Sequence, residues 1–416
     1  MNKKTIKDLD FQGKRVLMRV DFNVPLDGST VSDDTRIRAA IPSIQHILDQ
    51  GGSLVLMSPL GRPKGQAKPE FSLKPAAARL SELIGRDVQF APDCIGETVK
   101  AMADALPAGG ILVLENLRYH PAEEGKPVLA ADATEEEKVA AKAAMKVQQA
   151  EFAEALASLG DVYVCDAFGT AHRAHASMAV VTKHFEECAA GFLLEKEIAY
   201  LGNAVANPER PFVAILGGAK ISGKIDVLMN LMDKVDTIIV GGGMVYTFYK
   251  AMGIPVGDSL VEEERIDLAK ETLEMVKTKN VNFLLPVDHI IADAFSADAN
   301  TRTVEEKGIA DDWMALDIGP KSVALFSEAV ADAKTVVWNG PMGCFEMAPF
   351  AEGTMALARA IAAADCTSII GGGDSVSAVN KSGLAGQMTH ISTGGGASLE
   401  FLEGKALPGI TALSDK

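Results

Sequence analysis

Arginine recurs at one kind of place in the first half of this chain. Short apolar runs end in polar turns, and the turns deliver it. Asp21, Asn23 and then Arg36 and Arg38 follow residues 16–20, and Arg62 follows 54–57. Arg118 follows 111–114, and Arg173 follows 162–165. A guanidinium is a planar fork of donors matched to phosphate and carboxylate oxygens. One such arginine is most simply a surface residue paired with an abundant acid. The same residue at several equivalent turns reads instead as a pocket for a small, highly anionic ligand.

The second half delivers glycine. Gly217-Gly218-Ala219-Lys220, Gly241-Gly242-Gly243, Gly371-Gly372-Gly373-Asp374-Ser375 and Gly394-Gly395-Gly396 each follow an apolar run or precede a helical stretch. Glycine lets a backbone approach a ligand closely, and a helix N-terminus presents free N–H groups to phosphate. Ordinary tight turns explain one or two of these segments, whereas three glycine triplets point to a nucleotide phosphate site. Residues 218–225 nearly match the Walker A pattern. Ile225 stands where the magnesium-binding hydroxyl belongs, so a standard P-loop is rejected. Lys220 and Lys224, one helical turn apart, remain candidate phosphate ligands. Asp374 is the candidate magnesium ligand, and a helix N-cap is its plainer reading.

The elements that must position these residues are legible as alternation. Short runs, mostly Val, Ile and Leu and without alternation, at 16–20, 54–57, 111–114, 162–165, 212–216, 237–240, 335–338 and 368–370 read as parallel strands covered on both faces. Amphipathic stretches at 36–50, 76–84 and 262–277 read as helices between them. The expectation is therefore α/β, with two Rossmann-like doubly wound parallel-sheet domains. Residues 188–206 are read as an interdomain helix and hinge between a domain of 1–187 and one of 207–401. Residues 123–149, rich in Ala, Glu and Lys, look like an addition: a solvated spacer with a surface helix opened by the Thr134–Glu137 capping box.

Composition narrows the classes. Forty basic residues against 56 acidic ones leave a net charge of −16 in 416 residues. Nucleic-acid binding needs a basic face, so it is not expected. No run reaches the roughly 18 apolar residues of a membrane helix. The first residues lack the apolar core of a signal peptide. Five cysteines without CxxC spacing are read as reduced thiols, which with the missing signal points to the cytoplasm.

Taken in order, Arg19–Pro25, Leu60–Pro63, Glu115–Arg118, Asp166–His175, Gly217–Lys220, Trp338–Pro341, Gly371–Ser375 and Ser392–Ser398 resemble the phosphoglycerate kinase family over essentially the whole chain. The resemblance implies a monomeric glycolytic enzyme. It would catalyse 1,3-bisphosphoglycerate + ADP ⇌ 3-phosphoglycerate + ATP, with Mg2+ on the nucleotide. By that likeness Asp21, Asn23, Arg36, Arg62, Arg118 and Arg173 hold the phosphoglycerate. Lys220, Lys224, Asn339, Glu346, Gly372, Gly373, Asp374 and Ser375 serve the nucleotide, with Asp374 on the metal. Leu316, Gly241 and Gly242 line the adenine side, and the tail at 402–416 packs back on the N-terminal domain.

The chemistry agrees. A carboxylate acceptor is already ionised, so no general base is required. Positioning and charge neutralisation suffice, here by Arg36, Lys220 and the Gly395 and Gly396 amides. Water must be excluded, so hinge closure about 190–206 is expected. Two features depart from the family: Pro59 stands where histidine is common, and 123–149 is longer than usual. A dehydrogenase would need a GxGxxG turn after an early strand, and there is none. A catalytically dead binding protein on this fold would have lost Arg36, Lys220 or Asp374, and all three are present.

Overall fold

The computed structural model describes residues 2–127, 129–130 and 132–416. These fall into two compact units: Met1–Ile198 with Ala406–Lys416, and Ala199–Lys405.

The first unit is built on a six-stranded sheet. Its spatial order is Gln89–Phe90, Ile111–Val113, Ser53–Met57, Arg15–Val20, Val162–Asp166, Cys188–Ala190. Every neighbouring pair is parallel. Residues 16–20, 53–57, 111–113 and 162–166 are buried throughout, which is why their sequence is mostly apolar without alternation, Arg19 and Asp166 being the buried charged exceptions. Helices Thr35–Asp49 and Lys74–Ile84 pack Ile37, Ile44, Ile47, Ala76 and Leu80 into that core. Parallel pairing sets all the carboxyl ends of the strands on one rim, where ligands of open α/β sheets bind.

Of the tail expected at 402–416, residues 406–416 belong to this unit and 402–405 to the other. The Gly409 N–H donates to Ala171 O at 2.8 Å, and Lys3 pairs with Asp415 at 2.8 Å. A Cβ at Gly409 would meet the Met178 Cε at 2.6 Å, so the residue's smallness is what lets the tail lie this close.

The second unit repeats the plan. Its order is Asn282–Leu284, Thr237–Val240, Phe212–Leu216, Thr335–Asn339, Thr367–Gly371, His390–Ile391, again all parallel. It adds an antiparallel sheet of Thr301–Glu305, Asp288–Ala292 and Met314–Ile318. The sequence reading did not include this sheet: Thr301–Glu305 is almost wholly exposed and carries no apolar run, and the two buried strands are interrupted by Asp288, His289 and Asp317. Helix Phe192–Ala206 occupies the predicted midpoint stretch.

One expectation needs correction. Residues 123–149 do not form a solvated spacer throughout. Glu123 has no exposed surface, and helix Glu135–Ala157 buries Met145, Phe152, Ala153 and Leu156. Only its exposed N-terminal half, opened by the Thr134–Glu137 capping box, behaves as the surface helix expected.

Candidate active site

In the first unit, three turns at the carboxyl rim are laced through a single glycine. The Gly61 N–H donates to Asn23 Oδ1 at 2.8 Å, and its carbonyl accepts from Arg118 Nη1 at 2.7 Å. Gly61 has φ +59°, and a Cβ there would lie 2.3 Å from the Phe71 ring, so no other residue fits. Arg36 Nη1 donates to the Asn23 carbonyl at 2.8 Å and stands 3.5 Å from Asp21 Oδ2. Asp21, Asn23, Arg36 and Arg118 are thereby brought together. Arg62 and Arg173 are exposed on neighbouring turns of the same rim.

Asn116 is what holds the Arg118 turn, a role that reading the sequence did not assign. Its Oδ1 accepts from the Leu60 and Arg118 N–H groups, both at 3.0 Å. Its Nδ2 donates to the Leu60 and Phe71 carbonyls at 2.6 and 2.9 Å. A fully satisfied buried amide of this kind rigidifies what it touches. Burial pulls the Arg118 pKa below its usual value, with Glu124 opposing, and the group stays charged at neutral pH. Pro59 is buried, and its carbonyl accepts from Ser58 Oγ at 3.0 Å.

In the second unit the glycines divide into two kinds. A Cβ at Gly217 would lie 2.2 Å from the Pro341 carbonyl oxygen, and one at Gly242 would lie 2.6 Å from the Gly218 nitrogen. At Gly241 it would strike the Met342 Sδ at 2.3 Å. These three are required by one turn packing on another, so their presence says nothing by itself about a ligand. Gly373 and Gly395 are different. A Cβ at either would meet nothing within 4 Å, so space is open in front of the backbone. Gly373 opens helix Gly373–Ser382 and Gly396 opens helix Gly396–Leu402.

Beside the open Gly373 turn, Lys224 Nζ donates to Asn339 Oδ1. Burial lowers the Lys224 pKa to about 8, although the charges of Asp374 and Glu403 oppose it. Asn339 Nδ2 is buried with no partner among the described residues. The Ser375 hydroxyl accepts from the Gly340 N–H at 2.5 Å. Lys220 is exposed and enters no hydrogen bond or ion pair among the described residues.

Leu316 is held by a different element. It belongs to the antiparallel sheet and packs with Ala292 and Phe350, and its carbonyl accepts from the Cys344 N–H at 2.8 Å. Glu346 is exposed two residues further on.

Asp374 is exposed in the first turn of its helix, with its charge felt by Lys224. A single hard carboxylate without other protein donors cannot cage a cation. It does suit a magnesium ion that keeps its waters and phosphate oxygens.

An arginine-lined rim on one doubly wound unit and an open, lysine-bearing glycine rim on another define a two-unit α/β phosphotransferase. Comparison with known proteins makes this specific. The profile of the family described as "Phosphoglycerate kinase" matches residues 6–405. The phosphoglycerate kinase of Chloroherpeton thalassium is 58% identical over the whole of both chains. That of Moorella thermoacetica is 55% identical, again over the whole of both. The solved structure of the Coxiella burnetii enzyme superposes with a TM-score of 0.85 at 39% identity, covering 99% of this chain and 98% of that one. The chain belongs to the phosphoglycerate kinase family. Its activity is the reversible transfer of a phosphoryl group between 1,3-bisphosphoglycerate and ADP, an ATP-forming step of glycolysis.

Proposed function

We propose that the arginine rim of the first unit holds the phosphoglycerate, that the glycine rim of the second holds the nucleotide, and that the phosphoryl group passes directly and in line between them. The observation that carries the nucleotide half is Asn339 Nδ2, a buried donor without a partner beside Lys224. A buried donor left unpaired costs about 1–3 kcal/mol, so the site is built for an acceptor such as a phosphate oxygen.

Asp21, Asn23, Arg36, Arg62, Arg118 and Arg173 bind and orient 3-phosphoglycerate. Lys224, Asn339, Gly372, Gly373, Asp374 and Ser375 take the nucleotide phosphates, while Glu346, Leu316, Gly241 and Gly242 serve its nucleoside side. Asp374 holds magnesium, which when bound neutralises phosphate charge. Arg36, Lys220 and the Gly395 and Gly396 amides stabilise charge on the moving phosphoryl group. The acceptor carboxylate is ionised at neutral pH, so no residue is needed as a base.

The enzyme works as a cytoplasmic monomer, and its −16 charge disfavours nucleic acid as a partner. No helix among the described residues is long and apolar enough to cross a membrane.

The test is a coupled assay with 3-phosphoglycerate, ATP and magnesium on the wild type and on Arg36→Ala. Loss of one transition-state donor typically costs about 10²–10³ in rate, and that loss is the expected result. An Arg36→Ala enzyme with wild-type kcat would remove Arg36 from the reaction. Because water must be kept from the phosphoryl group, the units close during turnover by bending about residues 190–206. Small-angle X-ray scattering is expected to show a smaller radius of gyration with both substrates than with either alone. An unchanged radius would sink the closure.

A further inference from the structure

We propose that Glu123, a carboxylate outside the ligand set, is a positioning residue that ties together the arginine-bearing segments of the phosphoglycerate rim. The proposal rests on the assignment of Arg118 and Arg173 to that substrate. Glu123 lies five residues beyond Arg118 and is fully buried. Its Oε2 accepts from the Ser177 N–H at 3.0 Å, and its Oε1 accepts from Ser177 Oγ at 2.7 Å. His175 Nδ1 stands 3.6 Å from the same Oε1. Ser177 and His175 belong to the segment that follows Arg173.

The third segment is the strand that ends one residue before Asp21. Arg19 on that strand is fully buried, and its Nε donates to Ser177 Oγ at 2.8 Å. Its Nη1 donates to the Val20 carbonyl at 2.5 Å, and its Nη2 is buried without a partner among the described residues. Ser177 Oγ therefore sits between a buried cation and a buried anion. It receives from Arg19 and gives to Glu123. Burial alone would raise the Glu123 pKa. The His175 contact, the Arg19 charge and the Ser177 bond outweigh it and hold the group below the ordinary glutamate value, hence ionised.

A buried ion pair bridged by one serine fixes register more surely than it adds stability. Here the register is that of the turns carrying Asp21, Arg118 and Arg173. Charge and position make opposite predictions for substrate binding. If Glu123 acted only as a negative charge near the rim, neutralising it would tighten binding of an anion. If it positions the arginines, neutralising it loosens binding.

The experiment is the coupled assay on Glu123→Gln, Ser177→Ala and Arg118→Ala, with KM measured for each substrate. Glu123→Gln is expected to raise KM for 3-phosphoglycerate about tenfold and to leave KM for ATP within about twofold, about 1.4 kcal/mol of lost binding confined to one substrate. Ser177→Ala, which keeps the backbone bond to Glu123, is expected to move the same constant in the same direction by less. It supplies the reading if Glu123→Gln does not fold. An unchanged or lowered KM for 3-phosphoglycerate overturns the proposal, as does an equal rise for both substrates. If Arg118→Ala also leaves that KM unmoved, the assignment of the rim has failed. If Arg118→Ala raises it and neither other variant does, only the positioning role has failed.

Discussion

Replacing Lys220 by alanine is expected to lower kcat by about 10²–10³, with KM for 3-phosphoglycerate unchanged within about twofold. The magnitude follows from what phosphoryl transfer asks of a protein. There is little covalent work, so catalysis resides in positioning and in cationic groups placed where charge spreads over the moving oxygens. Lys220 is exposed and makes no hydrogen bond or ion pair among the described residues, its charge reaching Glu262 only at longer range. Surface substitutions of that kind usually change stability by no more than about 0.5 kcal/mol. An unchanged melting temperature beside a collapsed kcat would separate a catalytic loss from an unfolded one. Turnover that survived the change would remove Lys220 from the reaction.

The second large effect concerns stability and pH. Asp166 ends a central strand of the first unit and is fully buried. Its Oδ1 accepts from the Leu194 N–H at 3.1 Å, and its Oδ2 has no partner among the described residues. Burial raises its pKa from 3.8 to about 7, against the opposing bonds from Ser43, Leu194 and Leu193. The folded protein thus holds a proton that the unfolded chain has released. Stability from this group is complete below the unfolded value near 4 and is lost as pH rises toward 7.

At about 1.4 kcal/mol per unit, the loss is about 4 kcal/mol as an upper bound. Asp166→Asn cannot ionise. Its stability relative to wild type is therefore expected to climb between pH 4 and pH 8, as read from urea midpoints at a series of pH values. Parallel curves for the two proteins would refute the buried proton. Asp317 in the second unit, also raised to about 7 by burial, gives the wild type a further slope of the same sign that Asp166→Asn retains.

The parallel sheets were legible because strands buried on both faces have to be mostly apolar, and residues 54–57 or 212–216 show this without further context. The rim followed from them, since every residue after a parallel strand lies on the same edge. What stayed hidden depends on neighbours distant in sequence. Nothing in His120-Pro121-Ala122-Glu123-Glu124 marks Glu123 as buried and its neighbour as not. That distinction is made by Ser177, 54 residues away. Similarly, the glycines at 217, 241 and 242 look alike in the sequence to those at 373 and 395. Only the packing of one turn on another separates glycines that make room for backbone from glycines that face open space. The antiparallel sheet escaped for a third reason: one strand is exposed and leaves no hydrophobic pattern, and Asp288, His289 and Asp317 interrupt the apolar residues of the two buried ones.

Direct transfer is tested most decisively by the fate of the phosphorus itself. ATP made chiral at its γ-phosphorus with oxygen isotopes would be turned over with 3-phosphoglycerate, and the configuration of the transferred group determined. A single in-line displacement inverts that configuration, and inversion is the predicted result. Retention would require two displacements through a phosphorylated side chain, and would contradict transfer between the two bound substrates.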